Sequence, residues 1–214
     1  MLFKSFEYIF NSSFNKLIEV DGINKSLAAK IIQSQNVNEK VLAELENEIS
    51  LLEKIDVSLI SFFDIEYPEL LKNIYFPPIF LYLKGNTKIA NMPSIAIVGT
   101  REPSIYGKQI AESFSSEIAQ RGIITVSGLA RGIDTIVHSS TLKAGGKTIA
   151  VLGSGMDVIY PSENKKLFNQ AAVRYLSLTP FSSSTFTFSY SSVSCCASGM
   201  AWPFITCFFS SFSS

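Results

Sequence analysis

A repeated unit of a short apolar segment, a glycine and an amphipathic stretch constrains the fold of this chain most. Apolar segments at residues 95–98, 123–126 and 148–152 are each followed closely by glycine, and predicted helices at 110–120 and 135–144 separate them. Continuously apolar strands that alternate with helices are typical of a parallel sheet covered on both faces. The sequence therefore predicts an α/β fold with a Rossmann-like parallel sheet and right-handed crossovers.

Residues 1–60 have a different pattern, in which apolar residues recur three and four positions apart, as in helices. A turn between the first two runs has Gly22 at a helix-ending position and Ser26 as the predicted N-cap. This segment, LIEVDGINKSLAAKII, resembles a SAM-like or helix-hairpin-helix unit, whose turn can present amides to DNA phosphate. Because residues 1–60 hold six Lys/Arg against nine Asp/Glu, a packing role is favoured over phosphate contact.

Residues 171–214 depart from both patterns in composition. Thirteen of these 44 residues are serine, seven are phenylalanine and only Arg174 is charged, whereas about a quarter of an average globular domain is charged. No helix or strand period is recognised across the segment. We therefore predict three parts: a helical domain (1–60), the sheet domain (61–170), and a non-native or disordered tail (171–214). The sheet is predicted to be incomplete, with the reading frame lost near Gln170.

The composition limits the classes of function. The chain carries 18 basic and 18 acidic residues, and residues 61–170 carry 11 and 9, so nucleic-acid binding would have to rest on local geometry rather than on a strong basic field. All three cysteines lie in the tail, which favours a cytosolic protein without disulfides. The apolar stretch at 197–209 is shorter than the roughly 20 residues that span a bilayer. We predict a cytoplasmic protein that does not contact the membrane.

Three glycine-containing turns follow the three predicted strands, at residues 99–101, 127–134 and 153–157. In an open parallel sheet these turns meet at the carboxyl edge, where ligands bind. Glycine amides and the starts of the following helices favour anions, and Arg101 and Arg131 add forked donors suited to phosphate. The sequence therefore predicts an anion site built from three loops.

Two common nucleotide-binding motifs are not met. In the pattern G-x-G-x-x-G that starts at Gly153, Val158 stands where the third glycine should pack. The sequence GGKT at 145–148 lacks the P-loop spacing and precedes a strand instead of a helix. Dehydrogenase and P-loop ATPase functions are therefore disfavoured.

Longer stretches of sequence point to one family. The segments YPELLKNIYFPPIFLYLKGN, SIAIVGTREPSIYG and TVSGLARGIDTIVHSSTLKAGGKTIAVLGSGMDVIYPSEN occur in this order. Together they resemble the DprA/Smf DNA-processing family over about residues 61–170, and residues 1–60 occupy the place of its SAM-like domain. The resemblance implies a single-stranded-DNA-binding protein of natural transformation that protects incoming DNA and helps load RecA recombinase. It implies a homodimer, no catalysis and no cofactor.

The same resemblance implies the site residues. Phosphate contacts are expected on the turns, from Gly99, Thr100, Arg101, Ser127, Gly128, Arg131 and Gly132. An ion pair with Glu102 or Asp134 is the alternative role for Arg101. Asp134 and His138 lie four apart on one helix face, a spacing that would suit a general acid–base pair, but we interpret both as structural support. Asp134 would cap the helix or hold Arg131, and His138 would donate a hydrogen bond in the loop layer. With one histidine in the chain, no metal site is predicted.

Two other interpretations remain open from the sequence. One is a Rossmann nucleotide-binding enzyme of the phosphoribohydrolase (lysine-decarboxylase-like) type. For the P-G-G-x-G-T loop of such enzymes, residues 143–148 offer only two glycines, and Lys147 replaces the expected small residue. Release of free base from a nucleoside monophosphate would distinguish this enzyme. The other is a non-functional fragment, because the basic segment that follows Y-P-x-x-N in the DprA/Smf family is not found here.

Overall fold

The computed structural model describes residues 6–35, 39–169, 175–179 and 206–209. The chain divides into two compact units, Met1–Lys54 and Ile55–Ser214. This division lies a few residues before the predicted boundary at residue 60, because residues 58–61 form a strand that pairs within the second unit.

The first unit is helical, which confirms the helical segment predicted before the sheet. Its helices are α1 (Phe6–Phe10), α2 (Phe14–Ile18), α3 (Lys25–Ser34) and α4 (Glu39–Lys54). Gly22 takes a positive φ of 86° in the turn between α2 and α3. The predicted N-cap at Ser26 is wrong: α3 begins at Lys25, and the Asn24 carboxamide oxygen accepts a hydrogen bond from the Leu27 N–H at 2.8 Å.

The second unit contains a sheet flanked by helices. Its strands are β1 (Ser58–Ser61), β2 (Phe80–Gly85), β3 (Ser94–Gly99), β4 (Ile124–Ser127), β5 (Thr148–Val151), β6 (Tyr175–Thr179) and β7 (Thr206–Phe209). Its helices are α5 (Glu69–Lys72), α6 (Ile105–Gln120), α7 (Ile133–Lys143) and α8 (Lys165–Asn169), with 3-10 turns at Thr87–Ile89 and Ser162–Asn164. Among the described residues, no helix is long and apolar enough to cross a bilayer.

The described strands form one sheet in the order β1-β2-β6-β5-β4-β3-β7. Neighbours from β6 through to β7 are parallel, and β1–β2 and β2–β6 are antiparallel. The predicted Rossmann-like parallel sheet is therefore confirmed, with β3, β4 and β5 at the apolar segments recognised in the sequence.

Two strands of this sheet come from the tail, where the sequence analysis recognised no strand. The segment 175–179 forms β6, with Ser177 opposite Ala150 of β5 and Lys84 of β2. Its sequence Tyr-Leu-Ser-Leu-Thr alternates polar and apolar residues, which is a strand period that the composition of the surrounding tail obscured. The place beside β5 that was expected to be empty is thus filled. Gln170 lies outside the described residues, so the loss of frame there stays a prediction.

An apolar cluster fixes the elements that carry the turns. Ile97 of β3 packs with residues of α6 and α7, namely Ala111, Ile118, Ile133 and Val137. Burial of a large aliphatic side chain contributes roughly 1.5–3 kcal/mol. Helix α6 and the start of α7 are therefore packed against β3.

Helix α6 begins at residue 105, five residues before the predicted start at 110. Ser104 is the reason, because its hydroxyl accepts a hydrogen bond from the Gly107 N–H at 3.1 Å and caps the helix. At the other ends of α6 and α7, Gly122 and Gly145 take positive φ angles of 75° and 81°. Both helices therefore end at a glycine in the left-handed region.

Candidate nucleic-acid interface

An open cleft of about 630 Å³ lies among the turns that follow β3, β4 and β5. Its charged lining consists of three cationic and two acidic side chains: Arg101, Lys108, Arg131, Glu102 and Glu163. This cleft therefore carries a small excess of positive charge at the carboxyl edge of the parallel strands, where ligands of such folds bind. The described residues contain no group of three or more His, Cys, Asp or Glu side chains suited to a metal ion.

Gly132 allows the first two turns to meet. Its φ is +79°, and a Cβ at this position would lie 2.3 Å from the Thr100 carbonyl oxygen. The next residue, Ile133, donates its N–H to the same oxygen at 3.2 Å. Only glycine fits both the backbone angle and the close approach. Contact between these turns places Arg101 and Arg131 on one cleft.

Gly99, at the end of β3, also allows the turn after β3 and the start of α7 to approach each other. A Cβ at Gly99 would lie 2.6 Å from Cγ1 of Ile133, a buried core residue at the start of α7. The Ile133 side chain therefore packs directly against the backbone of Gly99, which brings the start of α7 close to the end of β3. Gly99 and Gly132 shape the cleft through their small size.

Asp134 organises the turn after β4 from beneath. Its buried carboxylate accepts hydrogen bonds from the N–H groups of Gly128 (3.1 Å) and Ala130 (3.4 Å). Burial raises the pKa of Asp134, and the hydrogen bonds from Ala130 and Gly128 oppose that shift. The expected contact between Asp134 and Arg131 is not found, because Arg131 pairs with another carboxylate. Nor does Asp134 cap α7, whose N-cap is Gly132.

The carboxylate that pairs with Arg131 belongs to Glu163, on the turn after β5. Arg131 Nε lies 2.6 Å from Glu163 Oε1, and Nη2 lies 3.4 Å from Oε2. The hydrogen bond and the opposite charge raise the pKa of Arg131, and the same hydrogen bond lowers the pKa of Glu163. The side chains are 57% and 53% exposed. Sequence reasoning missed Glu163 because the partners are 32 residues apart.

Asn164, the next residue, was also missed. It is 4% exposed, and its Nδ2 donates to the Leu129 carbonyl and to the Thr135 hydroxyl oxygen, both at 2.8 Å. Leu129 has a positive φ of 58°, which is unusual for a residue with a side chain. Asn164 therefore holds the turn after β4 in its shape. The sequence signal that was available for Asn164 is its position as the asparagine of the Y-P-x-x-N motif.

Replacing Asn164 with alanine is expected to lower the free energy of unfolding by about 1–3 kcal/mol, because buried polar groups lose their partner. Urea denaturation measures this. Asn169→Ala is the matched control, since Asn169 is exposed at the end of α8, and should change stability by less than about 0.5 kcal/mol. Equal effects of the two substitutions would contradict the role assigned to Asn164.

The structure does not bring every predicted residue to the cleft. Ser127 is buried and donates its hydroxyl to the Ile97 carbonyl at 2.7 Å, and the Gly128 N–H is directed to Asp134. These two residues lie behind the cleft lining. The glycine turn at 153–157 does not supply described lining residues either; Glu163 and Asn164 represent the turn after β5.

His138 lies deeper still. It is fully buried, and its Nδ1 is 2.7 Å from the hydroxyl of Thr148 on β5. That hydroxyl is also hydrogen-bonded to Thr125 of β4. Burial lowers the pKa of His138 to about 3, so the ring is neutral near pH 7. This position gives His138 no direct access to the cleft.

The sequence and the fold match known proteins. A sequence model of the family described as DNA recombination-mediator protein A covers residues 58–192 of this chain. The chain belongs to this family. The resemblance to DprA/Smf proteins seen in the sequence is therefore confirmed, and the match continues beyond residue 170, where the family sequence was predicted to end.

Individual members of the DNA recombination-mediator protein A family align with part of their length. DNA processing protein DprA of Bacillus subtilis is 36% identical over 166 residues, which cover 72% of this chain and 56% of that protein. DprA of Streptococcus pneumoniae is 41% identical over 115 residues, which cover 54% of this chain and 40% of that protein. The chain thus spans about half the length of these relatives.

Two solved structures from the family share the fold. The X-ray structure of DprA from Streptococcus pneumoniae superposes with a TM-score of 0.63 at 31% identity, over 79% of this chain and 56% of that one. DNA processing protein A from Helicobacter pylori, described for its single-stranded DNA binding mode, gives a TM-score of 0.62 at 28% identity, over 74% and 71%.

Proposed function

We propose that this chain binds single-stranded DNA in the cleft between the turns after β3, β4 and β5. The observation that carries the proposal is the convergence of Arg101, Lys108 and Arg131 on one open surface. Arginine and lysine are the residues that contact nucleic-acid phosphates most often. The single-stranded DNA binding named for the Helicobacter pylori relative supports the same ligand.

Each predicted residue takes a part suited to its position. Arg101 and Arg131 contact backbone phosphates, while Gly99, Thr100 and Gly132 shape the surface between them. Ser127 and Gly128 support the cleft without lining it, because their described hydrogen bonds are directed to Ile97 and Asp134. Recognition of the backbone gives little preference for DNA sequence.

The wider role belongs to the same proposal. We infer from family membership that the protein takes part in DNA processing during natural transformation, protects incoming strands and helps load RecA as a homodimer. The proposed activity is binding without catalysis. Analysis of a nucleoside monophosphate after incubation with the protein tests the enzyme alternative, which requires release of free base.

Replacing Arg101 with alanine is expected to weaken binding of a fluorescently labelled oligo-dT by about tenfold, because one charged hydrogen-bonding contact is lost. The slope of log affinity against log salt should fall by about 0.7, the value for one phosphate on a single strand. Fluorescence anisotropy across a salt series measures both quantities.

Arg121→Ala is the matched control for that experiment. Arg121 lies at the end of α6, is largely exposed and pairs with Glu117, outside the cleft lining. Its removal takes away the same charge from the chain but should leave affinity within about twofold. Equal losses for the two arginines would place binding elsewhere or make it non-specific.

A further inference from the structure

The hydrogen-bonding edge of Arg131 that suits a phosphate is occupied by Glu163. Two donors of the guanidinium, Nε and Nη2, face the two carboxylate oxygens of Glu163. A phosphate binds arginine through the same kind of paired contact. The carboxylate therefore stands where a DNA phosphate on Arg131 would stand.

We infer that Glu163 competes with DNA for Arg131, so that a strand enters this part of the cleft only by displacing the Glu163 carboxylate. The inference rests on the proposed function, since it assumes that Arg131 contacts a DNA phosphate. It adds a residue that limits affinity and that the family resemblance did not indicate.

The setting of Glu163 fits a displaceable competitor. Its side chain and that of Arg131 are both more than half exposed, and ion pairs in such positions are weak because water screens them. At the same time, the neighbouring Asn164 is buried and fixed by two hydrogen bonds. The backbone of Glu163 is thus anchored beside Arg131, while its carboxylate is held there by an exposed ion pair that a phosphate can replace.

This competition favours polyanions. A single phosphate must replace the carboxylate one for one, whereas a strand gains contacts with Arg101 and Lys108, which line the same cleft, while it displaces Glu163. Linked contacts reinforce one another because the second is intramolecular. The cleft should therefore select single strands over free mononucleotides.

The test is Glu163→Gln, which removes the competing charge and keeps the size of the side chain. We expect oligo-dT to bind about two- to fivefold tighter at fixed salt, the range that a weak exposed ion pair allows. Glu163→Ala should change affinity in the same direction. Glu102→Gln is the control for charge alone, because Glu102 lines the same cleft.

An Arg131→Gln background separates competition from a general charge effect. There, Glu163→Gln should raise affinity no more than Glu102→Gln does, because only the effect of charge remains. Weaker or unchanged binding by Glu163→Gln in the otherwise native chain overturns the inference, and so does a gain that is undiminished in the Arg131→Gln background. If neither the native chain nor any of the variants binds DNA, the proposed function itself fails.

Discussion

Replacing Gly132 with alanine is expected to lower the free energy of unfolding by at least about 3 kcal/mol and to abolish specific binding in the cleft. Two costs combine at this position. The backbone angles of φ +79° and ψ −125° are unfavourable for any residue with a Cβ. The added carbon would also lie 2.3 Å from the Thr100 oxygen and 2.6 Å from the Arg101 carbonyl carbon, so the turns must separate.

Gly122→Ala separates these two costs. Gly122 has a similar φ of +75°, but a Cβ there would have no atom within 4 Å. Its replacement should cost about 1 kcal/mol from the backbone alone and leave DNA affinity unchanged. Urea denaturation and anisotropy of labelled oligo-dT measure the two effects. A cost at Gly132 no larger than that at Gly122 would show that the turns can move apart freely.

Acidification from pH 7 to pH 5 is expected to lower the free energy of unfolding by about 2 kcal/mol through His138 alone. In the folded protein the pKa of this ring is about 3, whereas in the unfolded chain it is about 6.5. Between these values the unfolded state binds the extra proton. Stability is therefore complete above pH 6.5 and is lost progressively as the pH falls towards 3.

His138→Gln provides the comparison, because glutamine can still hydrogen-bond to Thr148 but does not titrate. His138 is the single histidine of the chain, and ordinary carboxyl groups titrate mainly below pH 5. Asp134 acts in the opposite direction: its raised pKa lowers stability as the pH rises above about 4. The difference in the free energy of unfolding between the native chain and the variant excludes the contribution of Asp134.

Urea denaturation at several pH values measures this difference. The native chain should lose stability between pH 7 and 5 and the variant should not. Histidine ring resonances in NMR spectra of the folded protein should also stay constant over this interval. Parallel pH profiles for the two proteins would mean that the ring can reach water in the folded state.

The fold was predictable where its signals are local. Strands β3, β4 and β5 are apolar runs with glycine at or near their ends, so their positions along the chain were predicted to within a few residues. The start of α6 was missed although its signal was also local, because Ser104 caps the helix five residues before the first recognised apolar position. Strand β6 was missed because a five-residue alternation carries little weight inside a tail rich in serine and phenylalanine.

The candidate site was only partly predictable. Arg101, Arg131 and Gly132 follow strands directly, so their place at the carboxyl edge depends only on the sheet being parallel. Glu163 and Asn164 reach the cleft through the path of the turn after β5, and their partners lie 32 and 35 residues away. No helix or strand period in the sequence encodes such contacts, and only the Y-P-x-x-N motif marked Asn164.

Strand β6 also sets an order for assembly during synthesis. Among the described strands, β2 reaches the parallel part of the sheet solely through its ladder with β6. The nascent chain therefore emerges with β1 and β2 long before β6 exists, and the other edge of β2 stays open until Tyr175–Thr179 has been made. Such an edge is a template for pairing with other chains. Slow translation over this interval should increase aggregation, and a chaperone that covers extended segments should reduce it.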